Sequence, residues 1–159
     1  MAKKINETAD RMKMVEKAIV NLEISKSRME NAEVYANLAS AYLMKADLAK
    51  IDEVFVKGQK LTGNAGARKI LNTIKGTVEA RRGNYPAAIG LLSAGNEDGA
   101  GIYNKGLTQI LKKEWSAGYA TLEEIAATGS KNPLVYYVQA IAAARQNKES
   151  EMAAKLKKA

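Results

Sequence analysis

A small residue recurs along this chain at Ala39, Gly76, Gly106 and Ala140, and the same pattern trails each of them. Nine positions after the first three stands a bulky residue (Leu48, Tyr85, Trp115), and sixteen positions after all four stands Phe55, Leu92, Leu122 or Leu156. The small residues lie 37, 30 and 34 positions apart. A period of this length with a constant internal pattern marks stacked helix-turn-helix units. Each unit can bury its apolar face only against its neighbours, and stacking generates an extended groove. The first expectation for function is therefore a surface that binds, not a pocket that performs chemistry.

Composition agrees with helix. The 159 residues are 47% hydrophobic and 26% charged, with only two prolines, and long stretches rich in Ala, Leu, Lys and Glu favour helix over strand. The length suits one compact domain. No apolar run approaches the roughly 18 residues that span a bilayer, and the first thirty residues carry charge throughout, without a signal-peptide core. The chain is expected to be soluble, and cytoplasmic, or periplasmic if a signal peptide has been trimmed.

Neither cysteine nor histidine is present. Disulfides and thiolate or imidazole metal sites are thereby excluded, as are Ser–His and Cys–His nucleophiles. The carboxylate pairs Asp52-Glu53, Glu97-Asp98 and Glu123-Glu124 remain, but neighbours in sequence point different ways on a helix. Gly99-Ala100-Gly101 lacks the lysine and the preceding strand of a phosphate loop. No enzymatic activity, cofactor or metal is expected.

The units can be laid out by punctuation. Residues 1–31 form an N-terminal helix whose stripe of Ile5, Met12, Val15, Ile19, Leu22 and Met29 has amphipathic spacing. This helix reads either as half of a leading unit or as one strand of a short dimerising coil. The first full unit spans 32–67, with helices over 32–45 and 48–61 and a glycine-punctuated connection Thr62-Gly63-Asn64-Ala65-Gly66. The second spans 68–99: a helix over 68–82, a Gly83-Asn84 turn, and a short helix that Pro86 opens. Its closing loop, Gly95 to Gly99, accounts for the compressed interval. The third spans 100–132 and the fourth 133–159, the latter opened by Pro133.

The stretch 32–48, Ala-Glu-Val-Tyr-Ala-Asn-Leu-Ala-Ser-Ala-Tyr-Leu-Met-Lys-Ala-Asp-Leu, resembles the tetratricopeptide repeat, with Tyr35, Leu38, Ala39 and Tyr42 in its first helix and Phe55 and Gly58 in its second. The second unit matches that pattern at Gly76, Gly83, Asn84, Tyr85, Ala88 and Leu92. The third matches at Gly106, Trp115, Gly118 and Leu122, and the fourth at Ala140, Leu156 and Ala159. Units two to four look like bacterial envelope-associated members of the family. The resemblance implies an all-α, right-handed α-solenoid of about four such repeats after the N-terminal helix, working as a scaffold for a protein or peptide ligand. Ile51 and Met152 depart from the pattern, being large where alanine is usual, and Glu149 replaces the turn aromatic; the last unit is expected to pack loosely.

In the family the first helix of each unit lines the concave groove. Carried over by position, the groove residues are Glu33, Ala36, Ser40 and Leu43, then Ile70, Thr73, Thr77 and Arg81, then Tyr103, Leu107 and Ile110, then Leu134, Tyr137, Ile141 and Arg145. Tyr and Arg are enriched among binding hot spots, which singles out Tyr103, Tyr137 and Arg145. The carboxylate clamp of some members is absent, because Ala36, Ser40 and Thr73 occupy its slots. The array stops within its last helix at Ala159, so the chain reads as a fragment of a longer protein, and self-association through the uncapped end is a further expectation.

One alternative comes from charge. The net charge is +8, and residues 57–82 hold Lys57, Lys60, Arg68, Lys69, Lys75, Arg81 and Arg82 against Glu79 alone. Such a band can attract nucleic acid or another polyanion non-specifically at low salt. No aromatic residues are interleaved with it, as stacking on single strands requires, and solvated helix faces also carry such runs.

Overall fold

The small-residue pattern is realised as helices crossing at short range. In the computed structural model residues 2–61, 64–95 and 98–159 are described, with side chains from Glu7 onward. The side chain of Ile5, together with Thr62, Gly63, Asn96 and Glu97, lies outside the described residues. Among the described residues there are nine α-helices and no strand: α1 (Ala2–Arg28), α2 (Ala32–Met44), α3 (Leu48–Lys60), α4 (Ala65–Arg81), α5 (Tyr85–Ser93), α6 (Gly99–Leu111), α7 (Trp115–Ala126), α8 (Pro133–Arg145) and α9 (Glu149–Leu156). The chain forms two compact units, Met1–Lys75 and Gly76–Ala159, with their boundary inside α4.

Helix starts follow capping chemistry. The side chains of Asn31, Asp47, Asp98 and Asn132 each accept a hydrogen bond from a backbone N–H in the first turn that follows, satisfying donors that have no partner within the helix. Helix α4 begins at Ala65, three residues before the expected Arg68, because Asn64 caps it: the Ala67 N–H donates to Asn64 Oδ1 at 3.0 Å. Ala65 and Gly66 are thus helical, not loop.

The turns inside the helix pairs are alike. Seven positions after each small residue stand Ala46, Gly83, Lys113 and Asn147, all with positive φ (57°, 80°, 68° and 58°). In each turn the next N–H closes back onto the preceding helix: Asp47 to the Tyr42 carbonyl (2.9 Å), Asn84 to Glu79 (2.9 Å), Glu114 to Gln109 (2.9 Å) and Lys148 to Ala143 (3.0 Å). This is the Schellman closure, with a left-handed residue after the helix. Only Gly83 adopts that conformation without steric cost.

In the N-terminal unit α1 packs on α2 and α2 on α3. Val15 of α1 is buried, and Met12, Ile19 and Leu22 are half-buried, so the expected stripe faces inward from Met12 to Leu22, whereas Met29, past the end of the helix, is exposed. The Tyr42 hydroxyl donates to Glu23 Oε1 at 2.9 Å and Lys45 pairs with Glu16 at 3.2 Å, tying α2 to α1. Burial first, then the bond to Glu23, pushes the Tyr42 phenol up to about 12. Gly58 lets α3 approach closely, since a Cβ there would lie 2.6 Å from Leu71 Cδ1 and 2.9 Å from Tyr35 Cβ.

In the C-terminal unit α5 through α9 pack consecutively, and α6 also touches α8. Leu92 covers Gly76 and Leu122 covers Gly106: a Cβ on either glycine would meet the leucine Cγ at 2.7 Å. Gly118 answers Gly106 across the α6–α7 crossing, where its Cβ would lie 2.9 Å from the Gly106 carbonyl oxygen and 2.5 Å from Ile110 Cδ1. The core beside this crossing is Ile110, Leu122, Ile125, Val135, Val138 and Ala142.

Gly118→Ala is therefore expected to lower stability by about 1–3 kcal/mol through overpacking. Gly90→Ala, on an open helix face with nothing within 4 Å, should raise it by about 0.5–1 kcal/mol; urea unfolding of both variants checks the contrast. The turns give a second pair. Gly83→Ala should cost about 1 kcal/mol with no clash to explain it, and Ala46→Gly should gain up to about 1 kcal/mol, read from thermal unfolding.

Candidate functional site

Each unit carries hollows between the first helices of neighbouring pairs, where the groove residues are expected. In the N-terminal unit Glu33, Ala36 and Asn37 of α2 face Asn64, Gly66, Ala67 and Ile70 across a hollow of about 260 Å³. Asn64 Nδ2 donates to Glu33 Oε1 at 2.5 Å on its rim. Ile70 lines this hollow, while the Thr73 hydroxyl turns back to the Lys69 carbonyl at 3.0 Å.

In the C-terminal unit a hollow of about 220 Å³ brings together Thr77, Ala80 and Arg81 with Asn104, Leu107, Thr108 and Leu111. Thr77, Arg81 and Leu107 were expected there, and Asn104 Nδ2 bridges the helices by donating to Thr77 Oγ1 at 3.1 Å. Leu111 is exposed at its edge.

Helix α8 is apolar on both sides. Val135, Val138, Gln139, Ala142 and Ala143 are buried against the rest of the unit. On the other side Leu134 is 54% exposed, Tyr137 52% and Ile141 36%, and their i, i+3, i+7 spacing makes them one stripe. Tyr137 and Ile141 line a hollow of about 160 Å³ with Ala140, Ala144, Met152 and Leu156. Met152 and Leu156 of α9, which the repeat pattern marks but not as groove residues, supply part of this surface.

Other expected groove residues are used differently, Ile110 being buried in the core beside the α6–α7 crossing. Tyr103 is half-buried and packs, with Leu107, against the Ile110–Leu122–Val138 core, and burial alone raises its phenol. Arg145 is exposed, but its guanidinium stands over the Trp115 ring, 5.9 Å from the centroid, a cation–π contact within the unit. Tyr137 is thus the one member of the Tyr103, Tyr137, Arg145 set whose ring is mainly presented to solvent.

A further hollow, about 370 Å³, lies elsewhere, between Leu92 and Ser93 of α5, Gly101, Ile102 and Lys105 of α6, and Thr121 and Glu124 of α7. None of the expected groove residues lines it. Nothing in the spacing of small residues points to it.

Within the basic band, several cations already have partners. Lys57 pairs with Glu53 at 3.0 Å, Lys75 with Asp52 at 2.7 Å and Arg82 with Glu79 at 2.9 Å, and Arg68 Nη1 donates to the Leu61 carbonyl at 3.3 Å. The carboxylates share this arrangement. Lys50 and Lys57 hold Glu53 down to about 2, so it is fully ionised at neutral pH and unsuited to general acid work. Among the described residues no cluster of three or more Asp or Glu can hold a metal ion, and no helix is long and apolar enough to cross a membrane.

The fourth helix pair is anchored by a polar cluster that composition alone did not disclose. The buried Lys155 ammonium reaches Glu123 Oε2 at 2.5 Å, and Gln139 Nε2 donates to the same oxygen at 2.7 Å. Lys155 also stands 5.3 Å from the Tyr119 ring centroid and 6.0 Å from that of Tyr136. Burial opposes the charged ammonium, but Glu123 and Tyr119 prevail and its pKa is raised. The bond from Lys155, outweighing burial, holds the Glu123 carboxyl below its ordinary value of 4.5. The chain matches no family model, no curated protein and no solved structure in sequence or fold comparison.

A lowered carboxyl pKa contributes stability above the ordinary value and loses it as pH falls through the folded value. Glu123→Gln should therefore be less stable than the parent at pH 7. The side chain is half exposed, so the difference should be about 1 kcal/mol. The two stability curves should converge below pH 4.5, which unfolding measured across pH will show.

Proposed function

We propose that this chain is a non-catalytic scaffold of the tetratricopeptide-repeat kind, a solenoid of about four helix pairs that holds a protein segment against the first helices of its pairs. The observation that carries the reading is α8. A helix that is hydrophobic all round is normally buried all round, yet Leu134, Tyr137 and Ile141 stand exposed on its outer side. Exposed apolar stripes of this kind are the usual mark of an interaction surface. The identical turn closures and the recurring small residue at the helix crossings support the repeat assignment. Leu107 and Leu111 repeat the apolar character in the neighbouring hollow, and a helical or extended segment meets such a surface through side chains at regular spacing.

The basic band supports the polyanion reading less well. A phosphate approaching Lys57, Lys75 or Arg82 must first displace Glu53, Asp52 or Glu79. Arg81 instead lines the hollow with Leu107 and Leu111, where it would contact a partner segment.

The reading is tested by capturing partners with the parent chain and titrating the strongest with Tyr137→Ala, Leu134→Ala and Leu107→Ala variants. Loss of a buried aromatic anchor costs about 2 kcal/mol or more, so Tyr137→Ala should weaken binding by about thirtyfold. Unchanged affinity in variants that keep the parent's helical circular dichroism would refute it.

A further inference from the structure

Helix α9 has one buried side chain, and that side chain is charged. Lys155 is 9% exposed, whereas Leu156 is 47% exposed, Ala153 and Ala154 are exposed and Met152 is half-buried. Among the described residues α9 packs on α8 alone, and its Lys155 reaches past α8 to Glu123 of α7. A helix of eight residues does not persist in water without tertiary support. The docking of α9 therefore depends on whatever holds the Lys155 ammonium.

What holds it is a carboxylate. The ammonium lies 2.5 Å from Glu123 Oε2, and 5.3 and 6.0 Å from the Tyr119 and Tyr136 ring centroids. Lys158, 5.8 Å from the Tyr136 ring, faces the same cluster, as does Lys148, 5.9 Å from the Tyr119 ring and paired with Glu151 at 3.3 Å. With Glu123 ionised, these three lysines face Glu123 and Glu151; with Glu123 protonated they face Glu151 alone. A buried cation that loses its counter-charge is driven back toward water. Gln139 of α8 favours the same outcome. It is fully buried, its Nε2 donates to Glu123 Oε2 at 2.7 Å and to the Tyr119 carbonyl at 3.5 Å, and no group among the described residues donates to its Oε1. Both neighbours of Nε2 are acceptors, so the amide cannot turn over while Glu123 is ionised. A protonated Glu123 becomes a donor. It can then bond the oxygen of a reversed Gln139 amide and join α7 to α8 without Lys155.

We propose that α9 is an acid-released latch: ionised Glu123 holds it on α8 through Lys155, and protonation of Glu123 frees α9 as a unit while α7 and α8 stay packed. The Glu123 carboxyl is held below its ordinary 4.5, by the bond from Lys155 first. The latch is therefore closed above that value and opens as pH falls through the folded one. Over the acid range the other partners do not change charge, because the Lys155 ammonium is raised above 10.5 and the Tyr119 phenol above 10. Release carries Met152 and Leu156 away from Tyr137 and Ile141, so the hollow of about 160 Å³ that these four line exists only while the latch is closed. The latch operates whether or not that hollow holds a partner.

Amide hydrogen exchange on the full chain, with each rate referred to its intrinsic rate at the same pH, reads the opening of single helices. In the parent the α9 amides should be protected at pH 7 and should lose about fivefold or more of that protection well below pH 4.5, while the amides of α7 and α8 keep theirs. Glu123→Gln should show the acid behaviour of α9 already at pH 7, with no further change on acidification. Lys155→Met places a flexible apolar side chain of similar length in the same seat and leaves the half-exposed Glu123 to solvent. In this variant α9 should stay protected at both pH values. Unprotected α9 amides in the parent at pH 7 would overturn the proposal, as would acid loss that runs in parallel through α7, α8 and α9. So would full protection of α9 in Glu123→Gln at pH 7, or an acid loss in Lys155→Met equal to that of the parent.

Discussion

The close crossing of helices over a residue without a side chain is the constraint on which the rest of this structure depends. Gly106 and Gly118 face each other so closely that a Cβ on Gly118 would meet the Gly106 carbonyl at 2.9 Å. Because the backbones approach that far, Leu122 can settle over Gly106 and reach full burial, and Ile110 can lie along Gly118. Leu92 does the same over Gly76. The leucine sixteen positions on is thus the partner of the small residue, and the interval is the path down one helix, round a turn and part of the way back. Interiors packed to crystal density tolerate little change in such a contact, so the small residue and the leucine have to be chosen together.

That coupling explains why so much of the fold is legible in the sequence. A period that specifies both ends of a contact also specifies the turn between them, and the observed helices begin and end within a few residues of the expected limits, α4 excepted. The start of α4 was obscured because Ala65-Gly66 reads as loop by composition, whereas Asn64 supplies the cap that makes those residues helical. The turn conformation was legible only at Gly83. Ala46, Lys113 and Asn147 adopt the same left-handed geometry with residue types that do not announce it. They do so because the closing hydrogen bond and the packed helices on either side over-determine the backbone there.

The candidate site was less legible, and the reason is physical. Position on a helix says which face a residue occupies, but not how far the neighbouring helix extends over that face. Tyr103 and Tyr137 occupy equivalent positions, yet Tyr103 is drawn into the core and Tyr137 is not. Arg145 was expected to face a ligand, but an aromatic plane thirty residues away in sequence, Trp115, competes for its guanidinium. Lys155 shows the same effect from the other direction. A lysine near the end of an amphipathic helix reads as solvated, and only the long-range placement of Glu123, Tyr119 and Tyr136 makes its burial tolerable. A buried ammonium without such partners would cost several kcal/mol, so the expected loose packing of the last helix pair is offset by a polar anchor on its inner side.

That anchor divides α9 into two faces with different consequences. Lys155, bound to Glu123, fixes the inner face against α7, and Lys158 stands 5.8 Å over the Tyr136 ring on the same side. Met152 and Leu156 are left to form the outer face with Tyr137 and Ile141. A helix held only by apolar contacts could roll to bury its exposed leucine at the expense of another residue. Here rolling would break a charge-assisted bond from a buried group, which costs more than covering one leucine gains. The exposed stripe is therefore held in place instead of being relieved by local rearrangement, and a preorganised apolar surface loses little entropy on being covered.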